Sequence, residues 1–236
     1  MPVTTTKSAF WRGFRDGSPF ILGAAPFGLL FGVLATEAGM NLVEVMSMGV
    51  LVIAGASQFT ALAQMQENAP VVMVLAAALA VNMRMAMYSA ALAPHLGPAP
   101  FWQRAVAAYI LVDNTYAVSA AEFHRRPDQT TGQKMAFYIG CAIPVWVVWY
   151  AATLTGALLG QTIPPEFALD FAVPIAFLAI VAPMLRTIAH VAAALTSMIL
   201  GLALAFLPYS SGLLIAAAVA MIVGSEIERR MGDRFR

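Results

Sequence analysis

Arg84 and Asp113 are the residues of this chain whose chemistry stands out. Each lies near the middle of a stretch otherwise long and apolar enough to cross a bilayer. A charge at membrane depth costs roughly 2.5–3.5 kcal/mol on insertion scales, so a chain that keeps an acid and a base there is expected to use them. A carboxylate held away from water takes up and releases protons nearer neutrality, and a neighbouring arginine opposes that shift. Asp113 therefore reads as a proton-coupling acid or as the fixed partner of Arg84. Arg84 reads as a ligand for a substrate carboxylate, a partner for an internal acid, or a snorkelling cation. It stands about eight residues from the end of its stretch, ~12 Å at 1.5 Å per residue, which is far for snorkelling.

Other polar residues cluster around these two. Gly55-Ala56-Ser57-Gln58-Phe59 interrupts the second apolar stretch. Irregular or polar backbone at that depth survives only where protein or a hydrated cavity satisfies it. The segment reads either as a broken helix whose freed backbone groups bind substrate, or as a kink with Gln58 bonded to a neighbour. In the third stretch, Asn82-Met83-Arg84-Met85-Ala86-Met87-Tyr88-Ser89, helical spacing puts Arg84 with Tyr88 and Asn82 with Ala86 and Ser89. In the fourth, Tyr109, Asp113, Tyr116 and Ala120 share one helical face, with Asn114 beside it. One face of the third stretch could line a cavity and the other pack a neighbouring helix. Asp113 is the candidate proton carrier, and Tyr109, Asn114 and Tyr116 are its supports. Phe59 and Met85 are candidates to cradle an apolar side chain.

The composition says what must position them. Of 236 residues, 61% are hydrophobic and 11% charged, against about 25% charged in a soluble domain, and mean hydropathy is +0.79. The class is all-α: a polytopic membrane helical bundle with broken helices and a possible inverted repeat. Eight apolar segments reach or approach the ~20 residues of a span: Phe20–Ala38, Val43–Ala63, Pro70–Leu92, Phe101–Ala121, Met135–Leu159, Phe167–Met184, Ile188–Leu207 and Pro208–Gly224. The sixth and eighth are short, so seven spans remain an alternative. Pro19 and Pro26 in the first segment, against Pro174 and Pro183 at the sixth, are the faint sign of a repeat.

Basic residues set the expected orientation. With eight spans, Lys7, Arg12 and Arg15, then Arg125, Arg126 and Lys134, then Arg186, then Arg229, Arg230, Arg234 and Arg236 all fall on one side. Both termini are then cytoplasmic, and Arg104 alone is out of place. Residues 1–19 read as a cytoplasmic segment, either an interfacial helix or a disordered basic arm; 20–225 as one membrane domain; 226–236 as a solvated tail. Glu67 and Glu122 fall at span ends and are expected to be solvated. Gly28/Gly32 and Gly156/Gly160 suit close helix packing, inside the chain or at a dimer interface.

Several classes lose support. Net charge is +1, which suggests no nucleic-acid partner. The single cysteine, Cys141, cannot form an internal disulfide or a metal cluster. No nucleotide loop, nucleophile elbow or zinc motif occurs, so neither a cofactor nor a metal is expected, and enzymatic activity is not. Ser57 and His190 are possible pieces of an intramembrane enzyme, but no motif links them. A membrane scaffold and an uncoupled channel stay open.

The chain resembles the AzlC family, the large subunit of two-component branched-chain amino acid exporters. The likeness rests on the proline- and glycine-rich opening Gly17–Gly39, Ser47 with Gly55-Ala56-Ser57-Gln58-Phe59, Val81-Asn82-Met83-Arg84 with Tyr88-Ser89, Ala93-Pro94, Asp113 with Tyr116-Ala117, and Asp170-Phe171 with Pro174 and Phe177. It extends over about residues 10–225. The resemblance implies proton-driven export of leucine, isoleucine, valine and methionine, a small hydrophobic partner resembling AzlD, and Gly55, Ser57, Gln58, Asn82, Arg84, Tyr88 and Asp113 as cavity residues. The family often carries an Asp-Glu pair where this chain has Asp113-Asn114, so a scheme needing two carboxylates there lacks one here. The expected mechanism is alternating access around a midplane cavity formed by the second, third and fourth segments.

Overall fold

The structure, a computed structural model, describes residues 5–160, 185, 187–207 and 211–233. The sixth apolar segment, with Asp170 and Pro174, lies outside them. Every regular element described is helical: α1 (Thr6–Gly17), α2 (Ile21–Glu37), α3 (Leu42–Leu51), α4 (Gly55–Gln66), α5 (Val71–Leu96), α6 (Phe101–Tyr109), α7 (Asp113–Arg125), α8 (Thr131–Gly160), α9 (Ile188–Ala203) and α10 (Ser211–Asp233), with one 3-10 turn at Ser18–Phe20. Among the described residues four helical stretches are long and apolar enough to cross a membrane: Thr6–Glu37, Val71–Leu96, Thr131–Gly160 and Ser211–Met231. The chain is thus an all-α membrane helical bundle. It divides into two compact units, Met1–Phe59 with Val81–Phe167, and Thr60–Ala80 with Ala168–Arg236.

In the second unit α9 and α10 form an antiparallel pair. Gly212 at the start of α10 meets Leu204 just after α9, while Gly224 lies against Ala193 and Ala189 near the start of α9. Thr187 caps α9 through the His190 amide.

The first unit is built on a parallel seam. Gly13 abuts Phe137 and Cys141, Gly28 abuts Trp149 and Ala152, and Gly160 abuts Thr36 and Val33, so residue numbers rise together along α1–α2 and α8. At Gly32 an added Cβ would run into the Thr153 carbonyl and the Ala157 amide, and at Gly156 into the Leu29 carbonyl. Without a side chain at these points the two backbones touch, which is how small residues associate helices in lipid. Both GxxxG pairs are therefore spent on internal packing. Cys141 is buried against the same seam.

α5 runs the opposite way. His95 in its last turn stands beside Lys134 in the first turn of α8, with 3.5 Å between Nδ1 and Nζ. α6 begins just after α5 ends, across Gly97–Pro100. Yet Phe123, near the end of α7, also packs on His95, with ring centroids 5.3 Å apart. Both ends of α6–α7 thus lie at one end of the unit, and the fourth apolar segment is a helical hairpin, not a crossing. α3–α4 folds back as well. The Gln58 amide reaches the Met48 carbonyl at 3.5 Å, although a continuous helix would separate them by ~15 Å. Phe59 then packs edge-on against Phe27 and Phe31 of α2. The fourth segment is accordingly corrected from a straight span to a re-entrant hairpin, and the second, expected to break or kink at Gly55–Phe59, is a hairpin that enters from the opposite end. The cause is helix breakage at residues 52–54 and 110–112, where Val52 leaves the helical region and Val112 takes up extended backbone angles.

That geometry sorts the charges. Lys7, Arg12, Arg104, Arg125, Arg126 and Lys134 gather at the end where α1, α6 and α8 begin, and Glu37 and Glu44 lie at the other. Arg104, out of place on a straight fourth span, joins the other basic residues once α6 is the first limb of a hairpin. Glu44 closes a capping box with Asn41 at the start of α3.

Candidate functional site

A helix that stops inside a membrane leaves its last carbonyls without partners, and no water is there to take them. At the end of α3 side chains do so. The Tyr150 hydroxyl of α8 donates to the Gly49 carbonyl at 3.3 Å, the Tyr109 hydroxyl of α6 donates to the Val50 carbonyl at 2.8 Å, and the Gln58 amide donates to the Met48 and Val52 carbonyls. At the end of α6 the Tyr138 hydroxyl donates to the Ala107 carbonyl at 2.7 Å, in a buried bond. Trp146 stands edge-on to both Tyr109 and Tyr150, at 5.4 and 5.3 Å. One aromatic ladder on α8 therefore braces both hairpin tips, and Tyr109 ties the two tips together.

Gly55 and Gln58 belong to this brace. Gly55 admits the Trp149 ring, which a Cβ would strike. Ser57 and Gln58 are fully buried. The helix breaks before Gly55, and Gln58 is bonded to the carbonyls at the break together with Tyr109 and Tyr150. Phe59 is buried between the rings of α2.

Between the tips is a cavity of about 240 Å³, lined by Leu51, Ile53, Asn82, Met85, Ala108, Tyr109 and Leu111. Its wall carries an amide and a phenol among apolar side chains. It is a little smaller than the ~300–1,000 Å³ of pockets for drug-sized ligands, a size suited to a small solute.

Beside it, Arg84 Nη2 pairs with Asp113 Oδ2 at 3.2 Å. Asp113 is the first residue of α7, where a carboxylate favours the positive end of the helix dipole. Tyr88 and Tyr116 stack face to face next to the pair, with centroids 4.2 Å apart and planes 11° apart. Arg84 Nε, Asp113 Oδ1 and the Asn82 Oδ1 are buried atoms without a hydrogen-bond partner. The side chains of Arg84 and Asp113 are nonetheless 35% and 45% exposed.

The structure thus groups the sequence candidates in three places. Arg84, Tyr88, Asp113 and Tyr116 form one cluster, with Asn114 half-buried beside it. Asn82 and Tyr109 share the cavity wall with Met85. Gly55 and Gln58 brace the first hairpin, with Ser57 buried between them in sequence. One detail of the helical-face reading is corrected. The break puts Tyr109 on α6 and Asp113 on α7, so they share no helix face. On the unbroken α5, Asn82, Arg84, Met85 and Tyr88 are half-buried, while Ala86 and Ser89 are exposed.

Glu122 also departs from expectation. It is 3% exposed, and Arg12, Arg125 and Arg126 all pair with it at 3.2–3.4 Å, with the Gln129 amide donating as well. A solvated end residue is what position alone predicts; the folding back of α7 onto α1 is what buries it. Tyr138, Trp146 and Tyr150 were not singled out in the sequence either. Hydroxyls and an indole inside a long apolar stretch were the available signal.

Comparison with known proteins follows the same ground. The family model described as AzlC protein matches residues 19–163. A membrane protein of Archaeoglobus fulgidus, described only as uncharacterized, is 29% identical over 91% of this chain and 94% of its own length. The inner membrane protein YgaZ of Escherichia coli is 26% identical over 73% of this chain and 71% of its own. No solved structure matches.

Proposed function

The chain belongs to the AzlC family, a family of transport-related membrane proteins, and from that premise we propose that it exports branched-chain amino acids. Leucine, isoleucine, valine and methionine leave the cell in exchange for protons, and a small hydrophobic subunit resembling AzlD completes the transporter. The basic end of the first unit and the basic C-terminal tail favour cytoplasmic termini in a plasma membrane. The observation that carries this reading is the 3.2 Å Arg84–Asp113 pair next to a small, mostly apolar cavity where two broken helices meet. Both second limbs, α4 and α7, begin at the hairpin tips. Half-helix N-termini at mid-depth attract an anionic group, here the amino acid's carboxylate. Arg84 neutralises that carboxylate, while Met85, Leu111 and Ile53 enclose the branched side chain. Asp113 holds either the coupling proton or the amino acid's ammonium. The two exclude each other, and exclusion yields exchange. One charge crossing the full potential supplies ~2.3 kcal/mol per 100 mV. The roles of Gly55, Ser57 and Gln58 in this scheme are to hold the first tip, with Tyr88, Tyr116 and Asn114 positioning the ion pair.

The test is uptake of labelled leucine into inverted vesicles under an imposed pH gradient. D113N is expected to lose gradient-driven accumulation. Accumulation that persists in D113N removes Asp113 as the proton carrier.

A further inference from the structure

We propose that the open face of α7 walls a hydrated vestibule leading from the basic end of the molecule to the Arg84–Asp113 pair. The proposal rests on the transport reading and specifies the route by which a carboxylate-bearing solute reaches that site.

Three observations support it. A cavity of about 620 Å³ lies between α7 and the end of α1 with its 3-10 turn, lined by Arg15, Asp16, Pro19, Phe20, Ala117, Val118, Ala121 and Arg125. Asp113, Ala117, Ala121 and Arg125 follow one another at every fourth residue, so they form a stripe down one side of α7. The stripe is ~18 Å long, with a carboxylate at the inner end, two methyl groups in the middle and a guanidinium at the mouth. The opposite side of α7 is closed: Thr115, Ser119, Glu122 and Phe123 are buried there.

The exposure of the ion pair decides between water and lipid on the open side. Arg84 and Asp113 are more than a third exposed. Acyl chains against that surface cost several kcal/mol, whereas water solvates both charged side chains. Alanine at both intermediate turns leaves room for a solute to pass. Arg125 and Arg15 against the single Asp16 give the mouth an excess of positive charge, which draws in anions. Arg125 also pairs with Glu122, so the mouth is fixed to the cluster that anchors α7.

The experiment is cysteine accessibility in vesicles, in a C141S background. A117C and A121C are treated with a cationic methanethiosulfonate, its anionic sulfonate counterpart, and uncharged N-ethylmaleimide. M87C, on the exposed apolar side of α5, is the lipid-facing control. Both charged reagents are expected to modify A117C and A121C but not M87C. The anionic reagent is expected to be several-fold faster, an advantage that R125Q reduces. Reaction with N-ethylmaleimide alone at both alanines means lipid covers the face, and overturns the vestibule. Where A117C does not accumulate, V118C on the same wall gives the same reading. Labelling needs no transport. A protein that labels as expected yet moves no amino acid keeps the vestibule and loses the substrate assignment.

Discussion

Arg12 on α1 and Glu122 on α7 meet at 3.2 Å across 110 residues of sequence. Their contact anchors the second limb of one re-entrant hairpin to the first long helix. Glu122 is buried and receives three guanidiniums, so removing it leaves Arg12 partly buried with no counter-charge. E122A is expected to cost about 3 kcal/mol, the lower end for breaking a buried pair, because Arg125 and Arg126 are already largely in solvent. E122Q keeps a hydrogen-bond acceptor and is expected to lose less. Thermal unfolding of the detergent-purified protein checks the order; an E122A protein as stable as the parent refutes the anchoring role.

The hairpin topology has its own consequence. Arg104 near the start of α6 and Asp128 just beyond α7 lie at the same end of the first unit, although an apolar segment of spanning length separates them. R104C and D128C are therefore expected to be labelled by an impermeant thiol reagent from the same side of the membrane, with E44C reached from the other. Opposite-side labelling of R104C and D128C means that the fourth segment crosses.

Sequence made the class, the polar centre and the first break legible, and for definite reasons. Gly55, Ser57 and Gln58 are poor residues for a continuous apolar helix, so the second segment announces its break. Ile110-Leu111-Val112 carries no glycine or proline, so the break before Asp113 is silent. Its support is the Tyr138 hydroxyl, 31 residues away, which no local pattern reveals. Hydropathy measures how much apolar chain is present and not which way it runs, so a hairpin and a crossing look the same. The misfit of Arg104 was the trace the topology left in the sequence. Arg84 and Asp113 were legible as a pair because charge at depth requires a partner, whereas the burial of Glu122 depends on where α7 ends.

The brace at the hairpin tips can be dissected by removing single oxygens. Y109F leaves the Val50 carbonyl without its donor, and Y138F does the same to the Ala107 carbonyl. Y138F, whose bond is buried, is expected to lose ~1–3 kcal/mol, the cost of an unpaired buried group, and Y109F, whose bond is exposed, to lose less. Thermal stability of the two variants compared in parallel is the measurement, and unchanged melting in Y138F removes the brace as a stabilising device.

Backbone contact along the parallel seam makes a sharper demand. An isobutyl group at Gly156 has to occupy the space of the Leu29 carbonyl, and neither helix can withdraw without opening the seam. G156L is expected to abolish accumulation of folded protein, and G23L, at a glycine with nothing within 4 Å of an added Cβ, to be tolerated. Size-exclusion profiles of tagged variants distinguish them; equal monodispersity of the two refutes close packing at Gly156.

Cavity size bears on which solutes fit. Met85 of α5 is an unbranched side chain on the wall of the 240 Å³ space, which Leu51 and Ile53 of the first hairpin also line. Cutting it back to alanine frees the volume of three heavy atoms, while phenylalanine there fills space that a branched side chain needs. If the amino acid sits between the tips, M85A should gain transport of phenylalanine relative to leucine, and M85F should lose leucine before alanine. Met85 is only partly buried, so the stability cost of M85A should fall below the ~2–5 kcal/mol of a fully buried methionine truncation, and the variant should survive to be assayed. Competition of unlabelled amino acids against labelled leucine in the two variants measures the shift. Identical competition profiles in parent, M85A and M85F place the side-chain pocket elsewhere.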